Sequence, residues 1–403
     1  MNDPFSEFVN AQLPALLAEL GFPHNWVRGE GAYLFDDQGQ RYLDMCAGFA
    51  VHGLGRNHPA IKAALVEAIG ADLPNLVQPD CPALAGRLAE QLVRRSPPSI
   101  RRAYFCNSGT ETIEAAIKLA RRVTGRERMV HCEGAFHGLT TGSLALNADL
   151  PALRAGFGTL LPSTAIPLND LAALRAQLEP GDVAAFFIEP IQGKAMREAD
   201  DEFLRGAAEL CRSHGTLFVA DEVQTGLCRT GDMFACDRAG VAPDILTVSK
   251  CLSGGFIPVG ACLHSQDVHD RMLSPDIGFP HSSTFKENSL AMVAGLAVLE
   301  ELERGGHLQV VRARSRSLRA GLERLRSKHD VVADVRGRGL MLAVEFRTDP
   351  GTVVRKIVLP LVTEGRVVVP PAPLLKLTPP FVLSENDIAG FIDALDGILT
   401  RGW

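Results

Sequence analysis

Leu217-Phe218-Val219-Ala220, followed by Asp221-Glu222-Val223-Gln224-Thr225-Gly226, is an apolar run closed by two carboxylates and a glycine turn. A short run without polar alternation reads as a strand covered on both faces. Working outward, residues 103–106, 128–131, 184–188, 245–248 and 259–263 repeat the pattern. Several of these lead through a glycine turn into helical periodicity. Together with 216–220 they predict an α/β fold, a mainly parallel sheet with helices on both faces. Such sheets bind ligands at the carboxyl ends of their strands, which is where Asp221 stands.

Toward the N-terminus, 32–35 and 41–44 flank the turn Asp36-Asp37-Gln38-Gly39 and read as a strand pair. Asn57-His58-Pro59 opens a capped helix carrying Ile61, Leu65 and Ala68. The texture changes after about residue 290. Residues 290–325 read as a long helical region broken at Gly305-Gly306, and 335–345 read as a strand. Ser384 and Asp387 form a capping-box variant for a last helix whose inner face is Ile388, Phe391, Ile392 and Leu395. This tail reads as a smaller α+β domain.

The chain has 403 residues, 46% hydrophobic and 22% charged, which supports a sizeable core and excludes a disordered chain. The 41 basic and 47 acidic residues give a net charge of −6 with no basic run, so nucleic acid and anionic membranes are not expected partners. No apolar stretch approaches the roughly 20 residues that span a bilayer. Met1-Asn2-Asp3-Pro4 lacks the opening of a secretory leader. Nine cysteines, odd in number and without a CxxC pair, fit a reducing cytoplasm. With dispersed histidines, they predict no metal site.

Five segments carry possible chemistry. Lys250, in Ser249-Lys250-Cys251-Leu252-Ser253-Gly254-Gly255, follows the run at 245–248. A lysine desolvated at a strand end loses its charge more readily, and the neutral amine attacks an aldehyde. The same residues also read as a surface lysine before a flexible turn. Asp221 needs a buried partner, and a protonated pyridine nitrogen is one; an ion pair is another. Asn107-Ser108-Gly109-Thr110-Glu111 joins a strand to a helix N-terminus, where N–H groups and the dipole favour a phosphate. Ser108 and Glu111 equally form an ordinary capping box. Phe136-His137-Gly138 places an aromatic where it stacks on a planar ring or simply joins the core. His281-Ser282-Ser283-Thr284-Phe285 offers hydroxyls to a phosphate or forms a polar loop.

The order of these segments resembles the class III pyridoxal-phosphate-dependent aminotransferases of fold type I, which include acetylornithine, ornithine and other ω-aminotransferases. The resemblance runs from Gly53-Leu54-Gly55 and His58-Pro59 to Val335-Arg336-Gly337, Gly339-Leu340-Met341 and Thr378-Pro379-Pro380. It implies a fold type I transferase with pyridoxal 5'-phosphate as cofactor. Residues 56–290 would form the large cofactor domain, with 1–55 and 291–403 making the small one. Lys250 would bond the cofactor's aldehyde and shuttle a proton, and Asp221 would pair with the pyridine nitrogen. Val223 and Phe136, beside His137, would sandwich the ring, and Gln224 would reach its phenolic oxygen. Ser108, Gly109 and Thr110 would hold the phosphate. Thr284 would complete the site of the neighbouring subunit, which makes a homodimer necessary.

The substrate side departs from the family pattern. Leu139 stands where acetylornithine aminotransferases carry a substrate-binding arginine. Lys194, after Glu189-Pro190-Ile191-Gln192-Gly193, replaces a glutamate, and Lys376 replaces the arginine that glutamate gates. Two lysines repel, and neither offers the planar fork that matches a carboxylate. The expected activity is amino transfer from an amino acid or primary amine to an aldehyde or ketone. Alternatives are an acetylornithine/ornithine-type enzyme with an altered carboxylate site, a racemase, aminomutase or decarboxylase of the same superfamily, and a non-catalytic cofactor-binding module.

Overall fold

The structure, a computed structural model, describes residues 4–22, 25–77, 80–147, 151–275, 278–368 and 374–402. The chain divides into two units. One is the continuous segment Pro59–Gln309; the other combines residues up to His58 with those from Val310 onward.

The larger unit is built on a seven-stranded sheet. Its order is Ile100–Cys106, Gly260–Ser265, Ile245–Val248, Leu217–Asp221, Val183–Ile188, Arg128–Cys132 and Ser163–Ile166. The last five run parallel to one another, while Gly260–Ser265 is antiparallel to both strands beside it. Ser163–Ile166 was not anticipated: this edge strand is mostly half-buried, and its Ser-Thr start carries no apolar run.

Alternate side chains of each central strand serve opposite layers, as the two-residue pleat requires. Ala185, Phe187, Val219 and Ile245 pack with Ile113, Ala116, Ile117 and Ala120 of helix Gly109–Thr124. Phe186, Ile188, Phe218 and Ala220 pack on the other face with Leu174 and Leu178 and with Phe203, Leu204, Ala207 and Leu210 of helix Asp201–His214. Each fully buried Phe contributes roughly 1.5–3 kcal/mol. The two-layered core explains why these strands are apolar throughout.

Helix Ser289–Arg304, assigned from sequence to the C-terminal part, packs in the larger unit on helices Pro59–Gly70 and Ala83–Arg95. Gly295 allows the approach, since a Cβ there would lie 2.8 Å from Leu88 Cδ2. Asn57 precedes the first of those helices with φ at 52°, but its Nδ2 donates to Gly29 O at 2.7 Å instead of capping.

The smaller unit contains a sheet of Trp26–Glu30, Tyr33–Asp36, Arg41–Asp44 and Arg366–Val367, the last pairing parallel with Arg41–Asp44. A second sheet joins Val332–Arg338, Met341–Phe346 and Leu374–Leu377. The segment read as one strand is therefore a hairpin turning at Gly339, where φ is 63°. Gly337 and Gly339, on either side of Arg338, mark the turn inside a segment whose apolar flanks read as continuous. Helix Glu385–Gly402 begins as expected: Asp387 N donates to Ser384 Oγ at 3.1 Å and Ser384 N to Asp387 Oδ2 at 2.8 Å.

Candidate active site

Asp221 closes the strand Leu217–Asp221 and is buried. Its Oδ1 accepts hydrogen bonds from Val223 N at 3.0 Å and Thr247 Oγ1 at 3.2 Å. Its Oδ2 lies 2.7 Å from His137 Nδ1. His137 N donates to Asn147 Oδ1 at 2.8 Å, and Asn147 Nδ2 returns a 2.6 Å bond to Gly138 O. Burial opposes a charged imidazole, yet the hydrogen bond and charge of Asp221 outweigh it and hold the His137 pKa above its ordinary value. His137 thus steadies Asp221 from behind, while its Nε2 is buried with no hydrogen-bond partner among the described residues.

Lys250 follows Ile245–Val248 through Ser249 and opens a short 3-10 turn with φ at 40°. That left-handed backbone is uncommon for a residue with a side chain. Ser253 Oγ ties the turn down by donating to Lys250 O at 2.7 Å. Burial pulls the Lys250 pKa below its usual value, against the opposing pull of Asp221 and Glu189. The two glycines that follow adopt φ of 59° and 80°. Gly254 serves packing: a Cβ there would sit 2.7 Å from Ile61 Cδ1.

A cavity of about 320 Å³ collects Gly109, Thr110, Phe136, His137, Gly138, Leu139, Glu189, Asp221, Val223, Gln224 and Lys250. Eight of the ten residues picked from sequence therefore line one space. Ser108 does not line it; its Oγ caps the helix by accepting from Glu111 N at 3.3 Å, and Glu111 Oε2 accepts from Asn107 N at 2.5 Å. Gly109 backs onto Val223, where a Cβ would meet Cγ1 at 2.7 Å. Thr110 Oγ1 lies 2.8 Å from both Thr140 Oγ1 and Ser143 Oγ. Thr284 is exposed and lines a separate 480 Å³ pocket with Leu76, Lys286 and Glu287. Asn107 Nδ2 links that loop to the helix turn by donating to Ser283 Oγ at 3.0 Å.

Glu189 was missed as a site residue. It follows Val183–Ile188 directly, just as Asp221 ends its own strand, so the signal was a carboxylate at a buried strand end. Glu222, next to Asp221, faces away from the chemistry: it accepts from Cys236 N at 2.8 Å and from Thr225 Oγ1. Of the three departures, Leu139 lines the cavity and is 54% exposed. Lys194 is half-buried in the loop after Glu189, and Lys376 is half-buried in strand Leu374–Leu377 of the smaller unit.

A lysine and an aspartate presented by neighbouring parallel strands, with a helix N-terminus and an aromatic around one cavity, define an α/β enzyme equipped for amine and carbonyl chemistry. The profile described as "Aminotransferase class-III" matches residues 18–399, and the chain belongs to that family. It is 36% identical to the acetylornithine aminotransferase of Caldanaerobacter subterraneus subsp. tengcongensis, across 94% of this chain and 95% of that one. It is 40% identical to the acetylornithine aminotransferase of Methanopyrus kandleri, across 81% and 82%. The crystal structure of the ornithine aminotransferase from Toxoplasma gondii ME49 matches with a TM-score of 0.86 at 30% identity, across 94% of this chain and 90% of that one. The protein is a class III aminotransferase dependent on pyridoxal phosphate. The residues fit that cofactor: the cavity joins a lysine of lowered pKa, a strand-end carboxylate and a glycine-opened helix N-terminus. No helix among the described residues is long and apolar enough to cross a membrane.

Proposed function

We propose that this aminotransferase acts on an amine remote from any carboxylate, such as the terminal amine of an ω-amino acid or diamine, and on the matching aldehyde. The observation that carries this reading is the cavity lining. Phe136, Leu139 and Val223 supply apolar surface, and its basic side chains are Lys250 and His137, the latter engaged with Asp221. Among the described residues that line it, none offers a guanidinium to a carboxylate beside the reacting carbon. The relatives' names add support, since acetylornithine and ornithine both carry a terminal nitrogen.

The bound cofactor supplies an aldehyde that takes up the amino group and a ring that draws electrons from the reacting carbon. In this chain Lys250 would hold the cofactor's aldehyde and move the substrate's proton at Nζ; burial keeps more of its amine neutral for the purpose. Asp221, fixed by His137, Val223 N and Thr247, would pair its carboxylate with a ring N–H. Phe136 and Val223 would cover the ring, and Gln224 would reach its oxygen. The N–H groups opening helix Gly109–Thr124, with Thr110, would hold the phosphate, Ser108 acting chiefly through the helix cap. The larger unit would be the cofactor domain and the smaller unit the companion domain. The enzyme works in the cytoplasm as a homodimer, with Thr284 serving the neighbouring site.

Visible absorbance of the loaded protein tests the substrate class. Terminal amines should bleach the cofactor band at far lower concentration than L-glutamate. Bleaching by L-glutamate alone would overturn the reading and assign Lys376 or another cation to its carboxylate.

A further inference from the structure

Glu189 carries no role in the mechanism above, yet it is buried at the carboxyl end of Val183–Ile188 and lines the cavity with Lys250. Its two oxygens are used by two separate segments. Oε2 accepts from Phe136 N and Oε1 from Gly193 N, both at 2.8 Å. Phe136 is the aromatic wall of the cavity. Gly193 abuts Gln224 so closely that a Cβ would fall 2.2 Å from Gln224 Oε1 and 3.0 Å from Glu189 Oε1. One carboxylate thus fastens the aromatic wall to the loop that backs Gln224.

We propose that Glu189 is a positioning residue: it locks Phe136 and the Gly193–Gln224 edge in register and supplies Lys250 with a second negative neighbour besides Asp221. This rests on the reading of the cavity as the pyridoxal-phosphate site. The charged and titratable groups around Glu189 are His137, Asp221, Lys250 and Cys132. Burial raises the Glu189 carboxyl well above the ordinary carboxylate range, and Asp221 adds to this, while His137 and the two N–H groups oppose it. When ionised, the carboxylate favours the Lys250 ammonium.

Two variants separate the clamp from the charge. Glu189→Gln keeps the length and removes the charge, and its amide NH₂ confronts one of the two backbone donors. Glu189→Asp keeps the charge and shortens the reach. Apoprotein is mixed with pyridoxal phosphate across a pH series and quenched with borohydride, and the Lys250 peptide is quantified by mass spectrometry. In Glu189→Gln the pH midpoint of Lys250 trapping should fall by roughly one unit, while in Glu189→Asp it should stay near that of the unaltered protein. Both should bind the cofactor roughly tenfold more weakly, because a buried N–H loses its acceptor. An unchanged midpoint in Glu189→Gln, or full cofactor affinity in both variants, would overturn the inference. Absence of trapping at Lys250 in the unaltered protein is a different result. It would remove Lys250 from the cofactor site and the inference with it.

Discussion

Gly109→Ala tests whether the turn before helix Gly109–Thr124 is shaped for a ligand or only for its cap. The added Cβ would stand 2.7 Å from Val223 Cγ1, 3.4 Å from Val223 Cγ2 and 3.6 Å from Ser249 Cβ. Favourable carbon contacts begin at about 3.5 Å, so only the Val223 contacts must yield. The Val223 backbone is held by its hydrogen bond to Asp221, which leaves side-chain rotation as the escape. Rotation turns a methyl group toward the cavity that Val223 lines. Overpacking of this kind costs about 1–3 kcal/mol. If Val223 stays put, the cost appears as lost stability of the apoprotein. If it rotates, the cost appears as cofactor affinity weakened by roughly 5- to 150-fold, at about 1.4 kcal/mol per tenfold. Denaturant unfolding of the apoprotein and a visible-absorbance titration with pyridoxal phosphate divide the two. A variant matching the parent in both assays would refute the reasoning, since the cavity would then tolerate the methyl group freely.

Lys250→Ala should abolish turnover while leaving the apoprotein folded with an unfolding midpoint close to the parent's; retained turnover would remove Lys250 from the chemistry. Asp221→Asn should cut kcat/KM by at least about a hundredfold, since it removes the charge that keeps a ring nitrogen protonated; steady-state kinetics decide, and a loss below tenfold would contradict its role. Because the folded-state pKa of His137 is raised, its pairing stabilises the apoprotein fully below the unfolded value of about 6.5, and that contribution is lost as pH rises through the raised folded value. The stability gap between the parent and His137→Gln should therefore narrow as pH rises above about 6.5; a widening gap in denaturant titrations would reverse the assignment. Leu139→Arg should lower KM for an acidic donor and raise it for an apolar terminal amine; unchanged selectivity would place that position outside the substrate's reach.

The parallel strands were legible because burial on both faces leaves no room for polar alternation: Val183–Ile188 is buried at all of its residues. Ser163–Ile166 was not, because an edge strand is paired on one side and covered only in part. The hairpin Val332–Arg338 to Met341–Phe346 did carry a signal, since Gly337 and Gly339, both at positive φ, interrupt the run, but the apolar stretch beyond them made the two strands read as one. Lys250 and Asp221 stood out as charges at the ends of apolar runs. Their supports did not. The His137–Asp221 bond joins residues 84 positions apart, and no local pattern encodes such a meeting. Glu189 carried the same strand-end signal as Asp221, but its two backbone partners, Phe136 N and Gly193 N, are set by the fold and not by any local pattern. Ser108 shows a limit of another kind: a capping serine and a phosphate-binding serine have the same sequence, and here its Oγ meets Glu111 N.

The way the two units use the chain sets an order for biosynthesis. Pro59–Gln309 is continuous, so a ribosome can release everything the seven-stranded sheet needs in one stretch. Strand Arg41–Asp44 is made earlier, yet its neighbour Arg366–Val367 emerges only near the end of translation. During that interval the early strands Trp26–Glu30, Tyr33–Asp36 and Arg41–Asp44 carry an unfilled edge, the kind that invites pairing with another nascent chain. Expression conditions that slow elongation, or a premature stop before Arg366, should therefore favour aggregation of a protein whose larger unit has already folded.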